Sequence, residues 1–171
     1  MFADADFDSA VNAALSGNFY SAGQVCVSGT RVFVHRPIYE RFVAQLAPRV
    51  SAIRVGDPFG PKTQVGPLIT KSQTERVLRY VEMAMASGAT HVVGGARPDE
   101  PNLLDGNYVT PAVFSDCGDG MLFVRDEIFG PLMAVLVFDE EDEVLYRAND
   151  TDSRRAFLRP ISLAPTAWPT P

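Results

Sequence analysis

Cysteine and histidine are scarce: Cys26, Cys117, His35 and His91 are the only four in 171 residues. Two cysteines can pair only once, and a chain with this much apolar content needs no staple, so both read as free thiols. No pair among the four falls at the short spacings of structural zinc sites, which argues against a metal enzyme. Long apolar runs are missing too. Nothing approaches the ~20 residues that cross a bilayer, and the opening Met1-Phe2-Ala3-Asp4-Ala5-Asp6 is acidic where a signal peptide is basic. No membrane association is expected, and the cytoplasm is the expected compartment. Positive charge is in the minority, with 15 Lys and Arg against 21 Asp and Glu and a formal net charge of -6. That balance repels phosphate backbones and anionic lipid, so no nucleic-acid partner is expected. GxGxxG, Walker and GxSxG patterns are absent, and Gly94-Gly95 signals only a turn.

What is present is an ordinary globular composition, 46% hydrophobic, 10% aromatic and 21% charged. A domain of this size buries about 70% of its unfolded surface, so one domain, or part of something bigger, is expected. Asp6-Phe7-Asp8-Ser9 leads into an Ala-rich stretch, which predicts a short helix that ends near Gly17-Asn18. Val32 and Val34 alternate within 30–35 as in a strand. Pro37 then opens a helix whose Ile38, Phe42, Leu46 and Val50 recur at helical spacing, with Pro48 a late defect. A Gly/Pro-punctuated stretch precedes a helix over 70–87 that ends at Gly88, with Val77, Tyr80, Val81, Ala84 and Met85 on one face. His91-Val92-Val93 predicts a short buried strand, 96–106 a loop, and 109–114 a strand interrupted by Pro111. Residues 132–138 form the strongest strand pattern, and Asp139 to Asp142 place negative charge at the start of a helix reaching about Asn149. This alternation predicts an α/β domain: an open, mostly parallel twisted sheet with flanking helices.

Chemistry has two candidate seats. Cys26 lies in a Gly-flanked loop among Ser21, Ala22, Gly23, Gln24 and Ser28. Such a loop can leave a thiol reachable and lets backbone N–H groups approach an oxyanion formed beside it; a buried structural cysteine is the alternative. Cys117, flanked by Asp116 and Asp119, reads as structural because acids disfavour a thiolate. His35 and His91 read as surface or strand-end residues rather than bases. The second seat is Arg125-Asp126-Glu127-Ile128-Phe129-Gly130-Pro131, just before the strongest strand. It is either a solvated turn or a ligand-contacting one.

Taken together, Asn18-Phe19-Tyr20-Ser21-Ala22-Gly23-Gln24-Val25-Cys26, Gly29-Thr30-Arg31-Val32-Phe33-Val34 and the 125–131 segment strongly resemble the aldehyde dehydrogenase family. Gly56-Asp57-Pro58, Gly66-Pro67-Leu68-Ile69, Gly88-Ala89, Gly94-Gly95, Pro111 and Ala148-Asn149-Asp150 fall in that family's order and spacing. The resemblance covers about residues 2–152. Asp116-Cys117 before Met121, together with Asn149-Asp150-Thr151-Asp152, is most similar to its betaine aldehyde and trimethylaminobutyraldehyde branch. The resemblance implies an incomplete catalytic domain over 1–152 that oxidises a small-molecule aldehyde with NAD or NADP. Cys26 would attack the carbonyl to give a thiohemiacetal whose oxyanion is held partly by the Cys26 N–H. Hydride would pass to nicotinamide, and water would hydrolyse the resulting thioester. Glu127 matches the residue that binds the nicotinamide-ribose hydroxyls, and Phe129 the aromatic beside the nicotinamide. Tyr20, Val25 and Val27 match the aldehyde tunnel, where the π face of Tyr20 would suit a quaternary ammonium. The resemblance assigns no metal-binding residue to this chain, and the full-length family forms homo-oligomers.

Several departures accompany the resemblance. Ser28 stands where the family more often has Ala, Asn, Cys or Gly. The family's general-base glutamate, second oxyanion donor and cofactor domain lie upstream of the matched stretch, so the chain by itself is expected to be inactive. The tail over 153–171, with Arg154, Arg155 and Arg159 followed by Pro160, Pro165, Pro169 and Pro171, has no periodicity and no family likeness. GC-rich codons for Asp152 to Thr170 read in another frame give family-like sequence, so the tail is expected to be frameshifted and disordered. Two other functions remain open. One is a non-catalytic remnant that binds an intact subunit through an exposed sheet edge, and the other is a cofactor-free thiol esterase.

Overall fold

The computed structural model describes residues 1–150, and the tail expected over 153–171 lies outside the described residues. In chain order the elements are α1 (Phe7–Phe19), a 3-10 turn (Tyr20–Gly23), β1 (Arg31–His35), α2 (Arg36–Ser51), α3 (Lys71–Ala86), β2 (Thr90–Val93), β3 (Ala112–Ser115), α4 (Leu122–Arg125), β4 (Leu132–Phe138) and α5 (Glu141–Asn149). The four strands form one sheet in the order β1-β4-β3-β2. β4 runs parallel to both β1 and β3, and only β2 is antiparallel to its neighbour. The sheet is thus mostly parallel and open, as the alternation of strands and helices predicts.

β4 explains the sheet's character. Leu132, Met133, Ala134, Val135, Leu136 and Phe138 are all buried, so both faces of this central strand are covered. A parallel strand enclosed on both sides shows a continuous apolar run rather than alternation. α2 contributes Tyr39, Phe42, Leu46 and Val50 to the same core. α5 opens with a reciprocal cap between Glu140 and Glu143, and its Arg147 donates to Asp119, Glu143 and the Val137 carbonyl, which ties the helix to the end of β4.

Three local expectations change, and one element is new. α1 does not end at Gly17 but runs on to Phe19, because burial of Phe19 and a hydrogen bond from the Asn18 amide to the Ala14 carbonyl outweigh the ~1 kcal/mol helix cost of glycine. β2 is not buried: Thr90 and His91 are exposed, since the strand lies at the sheet edge. β3 starts after Pro111, which has no N–H for the ladder, although Val109 before it is fully buried. The short α4 has no counterpart in the sequence pattern.

Behind the sheet, the Tyr39 hydroxyl accepts from the Asp116 N–H at 2.7 Å, and Cys117 is buried beside it. Burial pushes both the Tyr39 phenol and the Cys117 thiol up to about 12. Each ionises more readily in the unfolded chain, so the stability carried by their neutral forms is complete below the unfolded values and is lost as pH rises toward the folded ones. The denaturation midpoint is expected to fall between about pH 9 and 12. Tyr39→Phe and Cys117→Ala should each flatten that slope in chemical denaturation series at pH 8 to 11.

Candidate active site

The loop that follows α1 is shaped by backbone strain. Ser21, Ala22 and Gly23 all have positive φ, at 52°, 55° and 70°, and turn the chain sharply out of the helix. The glycine is required here, because a Cβ at Gly23 would lie 2.2 Å from the Gly130 carbonyl oxygen. Close backbone approach therefore presses the Cys26 loop against the 125–131 segment, joining two stretches about a hundred positions apart in the chain.

Beyond Gly23 the chain closes a tight turn. The Ser28 N–H donates to the Val25 carbonyl at 3.0 Å, leaving Cys26 and Val27 exposed at the tip. Ser28 Oγ and the Gly29 N–H both donate to the Gly17 carbonyl, which belongs to the last turn of α1 and has no partner in the helix. Ser28 thus ties the base of the turn to the helix. On the other side, Gln24 Oε1 accepts from the Ile69 N–H at 3.0 Å. The Cys26 N–H makes no hydrogen bond among the described residues and is free to donate.

The second loop is held by α3. Arg76 donates to the Glu127 carbonyl, Gln73 donates to the carbonyls of Ile128 and Phe129, and the Tyr80 hydroxyl donates to Asp126 at 2.9 Å. A Cβ at Gly130 would meet Val77 of the same helix at 2.3 Å. Glu127 is exposed, and its carboxylate makes no hydrogen bond or ion pair among the described residues. Phe129 is half-buried with φ 58°.

The remaining candidates fall as follows. Val25 is half-buried, Val27 is exposed, and Tyr20 is 75% exposed with its ring open to solvent. His35 ends β1 and stacks on Phe138, and His91 bonds the Gly94 carbonyl, so neither faces the cysteine turn through a hydrogen bond. Cys117 is buried with its thiol against the Phe114 carbonyl. Among the described residues, no group of three His, Cys, Asp or Glu is arranged to hold a metal ion, and no helix is long and apolar enough to cross a membrane. A surface hollow along α3 is lined by Arg76, Arg79, Tyr80, Glu82, Met83 and Ala86 and contains none of the candidates. Sequence reasoning missed Gln73 and Arg76: polar residues in the first turns of an amphipathic helix look like any solvated face.

The profile of the aldehyde dehydrogenase family matches residues 1–156. The betaine aldehyde dehydrogenase of Cereibacter sphaeroides is 53% identical over 152 residues, covering 89% of this chain and 31% of that protein. That of Brucella anthropi is 50% identical over the same length and shares. Among solved structures, betaine aldehyde dehydrogenase from Staphylococcus aureus in complex with NAD+ superposes with a TM-score of 0.86 at 41% identity, covering 88% of this chain and 30% of that one. Aldehyde dehydrogenase from Bacillus cereus superposes with a TM-score of 0.83 at 43% identity, with the same shares. The chain therefore spans about a third of the length of the relatives it matches.

Proposed function

The chain belongs to the aldehyde dehydrogenase family, and from that premise we propose that residues 1–152 are the nucleophile-bearing part of an NAD(P)-dependent aldehyde dehydrogenase of the betaine aldehyde type. The observation that carries the reading is the exposed Cys26 turn, locked through Gly23 against the loop of Glu127 and Phe129. The two halves of the chemistry, a thiol and a cofactor-facing carboxylate, share one backbone contact.

In this reading the Cys26 thiolate forms a bond to the aldehyde carbon, and the carbonyl electron pair moves to oxygen. The unpaired Cys26 N–H stabilises that oxyanion. NAD or NADP, when bound, supplies the acceptor for the hydride that leaves the same carbon. The Glu127 carboxylate fits this group because it is exposed and unpartnered among the described residues, with both oxygens open to ribose hydroxyls. Phe129 offers an aromatic edge or face beside it. Water then attacks the thioester, the carbon–sulfur bond breaks, and the acid departs. Val25 and Val27 line the apolar approach, and the Tyr20 ring gives a cationic head group a π face worth about 0.5–2 kcal/mol. The resemblance assigns no residue of this chain to the base that activates the water.

The test uses the purified chain and the rate at which iodoacetamide modifies Cys26. Betaine aldehyde is expected to slow that rate through reversible addition to the thiol, whereas a tetraalkylammonium without a carbonyl is not. Equal rates with and without aldehyde would remove Cys26 as nucleophile. No sustained NAD(P)H production is expected from the chain alone, since turnover needs the base that activates water against the thioester, and steady turnover would overturn the assignment of that base to residues elsewhere. The open edge of β2 favours a second reading, a non-catalytic fragment that adds to a sheet of an intact relative. Co-purification with that relative, without aldehyde protection of Cys26, would select it.

A further inference from the structure

Three consecutive carbonyls of the segment carrying Glu127 and Phe129 are held from one helix. The side-chain amide of Gln73 donates to the Ile128 carbonyl at 2.9 Å and to the Phe129 carbonyl at 2.8 Å. Arg76, one turn further along α3, donates to the Glu127 carbonyl at 2.6 Å. This segment lies between α4 and β4, where neither a helix nor a ladder orders it. Its own amides do so only at the ends, where Asp126 bonds back to Leu122 and Leu132 to Gly130.

Phe129 occupies the left-handed region at φ 58°, which costs an L residue about 1–2 kcal/mol. Something must hold it there, and the Gln73 amide does so by presenting two donors from one nitrogen to two successive carbonyls. That nitrogen sits on a fixed base: Gln73 is in the first turn of α3, and its own N–H donates to the N-cap Thr70 hydroxyl. Neither side chain of matching shape supplies the same pair, since Glu offers only acceptors and Met no donor. The shape set here is passed on, because Gly130, next in the chain, is wedged between Val77 and the Gly23 of the cysteine loop.

We propose that Gln73 is the positioning residue of the Glu127 and Phe129 segment: its two hydrogen bonds select the left-handed backbone at Phe129 and fix where the carboxylate and the ring are presented to a dinucleotide. Arg76 adds the third anchor. The part concerning the dinucleotide rests on the reading under Proposed function; the part concerning the loop does not.

The experiment is backbone 15N relaxation on the full chain, comparing wild type, Gln73→Met and Arg76→Lys. In wild type and Arg76→Lys, residues 127–130 are expected at the rigid level, about 0.85 in order parameter, and in Gln73→Met below about 0.6. β4 and α3 should keep wild-type values. Unchanged values for 127–130 in Gln73→Met would overturn the proposal, and so would a uniform loss across the sheet, which would make Gln73 a residue of the whole fold. If Gln73→Met does not fold, Gln73→Asn, which keeps the amide but shortens its reach, is read at the same residues. Titration with nicotinamide mononucleotide, the half of the cofactor that Glu127 and Phe129 would meet, forms the second arm in the same spectra, with binding expected to weaken about tenfold in Gln73→Met. Equal affinity in both would sink the positioning role toward the dinucleotide. An absence of shifts at residues 127–130 in wild type with the mononucleotide would instead sink the dinucleotide reading, and the order parameters would still decide the loop.

Discussion

Gly94→Ala is expected to cost at least ~3 kcal/mol, a large share of the ~5–15 kcal/mol that holds a typical domain together. Gly94 has φ 75°, and an added Cβ would lie 1.7 Å from the Pro111 carbonyl oxygen and 2.7 Å from its carbon. Both obstacles are backbone, at the entrance to β3, so relief requires that the strand itself move. The conformational penalty alone is about 1–2 kcal/mol. Gly88 separates the two contributions, because its φ is 87° and nothing lies within 4 Å of an added Cβ. Gly88→Ala should therefore lose only the conformational part, about 1 kcal/mol. Urea denaturation of the two variants measures the difference. Equal losses would show that the strand start yields without cost.

The two thiols are expected to differ in alkylation rate by at least ~1000-fold at pH 8. Cys117 is 7% exposed, and burial pushes its thiol up to about 12, so only about one molecule in ten thousand carries the thiolate there, and the reagent must also enter the core. Cys26 stands at the tip of its turn. Mass spectrometry after limited iodoacetamide treatment should find one modified site in the native chain and two after denaturation. Cys26→Ser should abolish the fast reaction and leave the slow one. Fast modification of Cys117 would mean that the sheet opens far more readily than its packing implies.

Much of this architecture is legible in the residues. The helical spacing of Phe42, Leu46 and Val50, and of Val77, Tyr80, Val81 and Ala84, marks buried faces that the structure places in one core. The apolar run at β4 announces a strand covered on both sides. These readings succeed because periodicity is a local property. β2 shows the limit. Its two valines look like core, but whether a strand is central or at an edge depends on which neighbours pair with it, and that is settled elsewhere in the chain. Gly17 shows another: a helix-breaking residue is carried through when burial beyond it, here at Phe19, outweighs its propensity.

The candidate site divides along the same line. The residue types that could do chemistry, a cysteine among glycines and a glutamate beside an aromatic before a strand, are fixed by the sequence, and with them the family, because order and spacing of motifs are written along the chain. That Cys26 is exposed while Cys117 is sealed, that Gly23 meets Gly130, and that Gln73 and Arg76 grip three carbonyls fifty residues away are decisions of the tertiary structure. They follow from close packing and from the need of irregular backbone for partners. A chain carries its local preferences in its own order, whereas the partner of a loop carbonyl is whatever the folded core brings within reach.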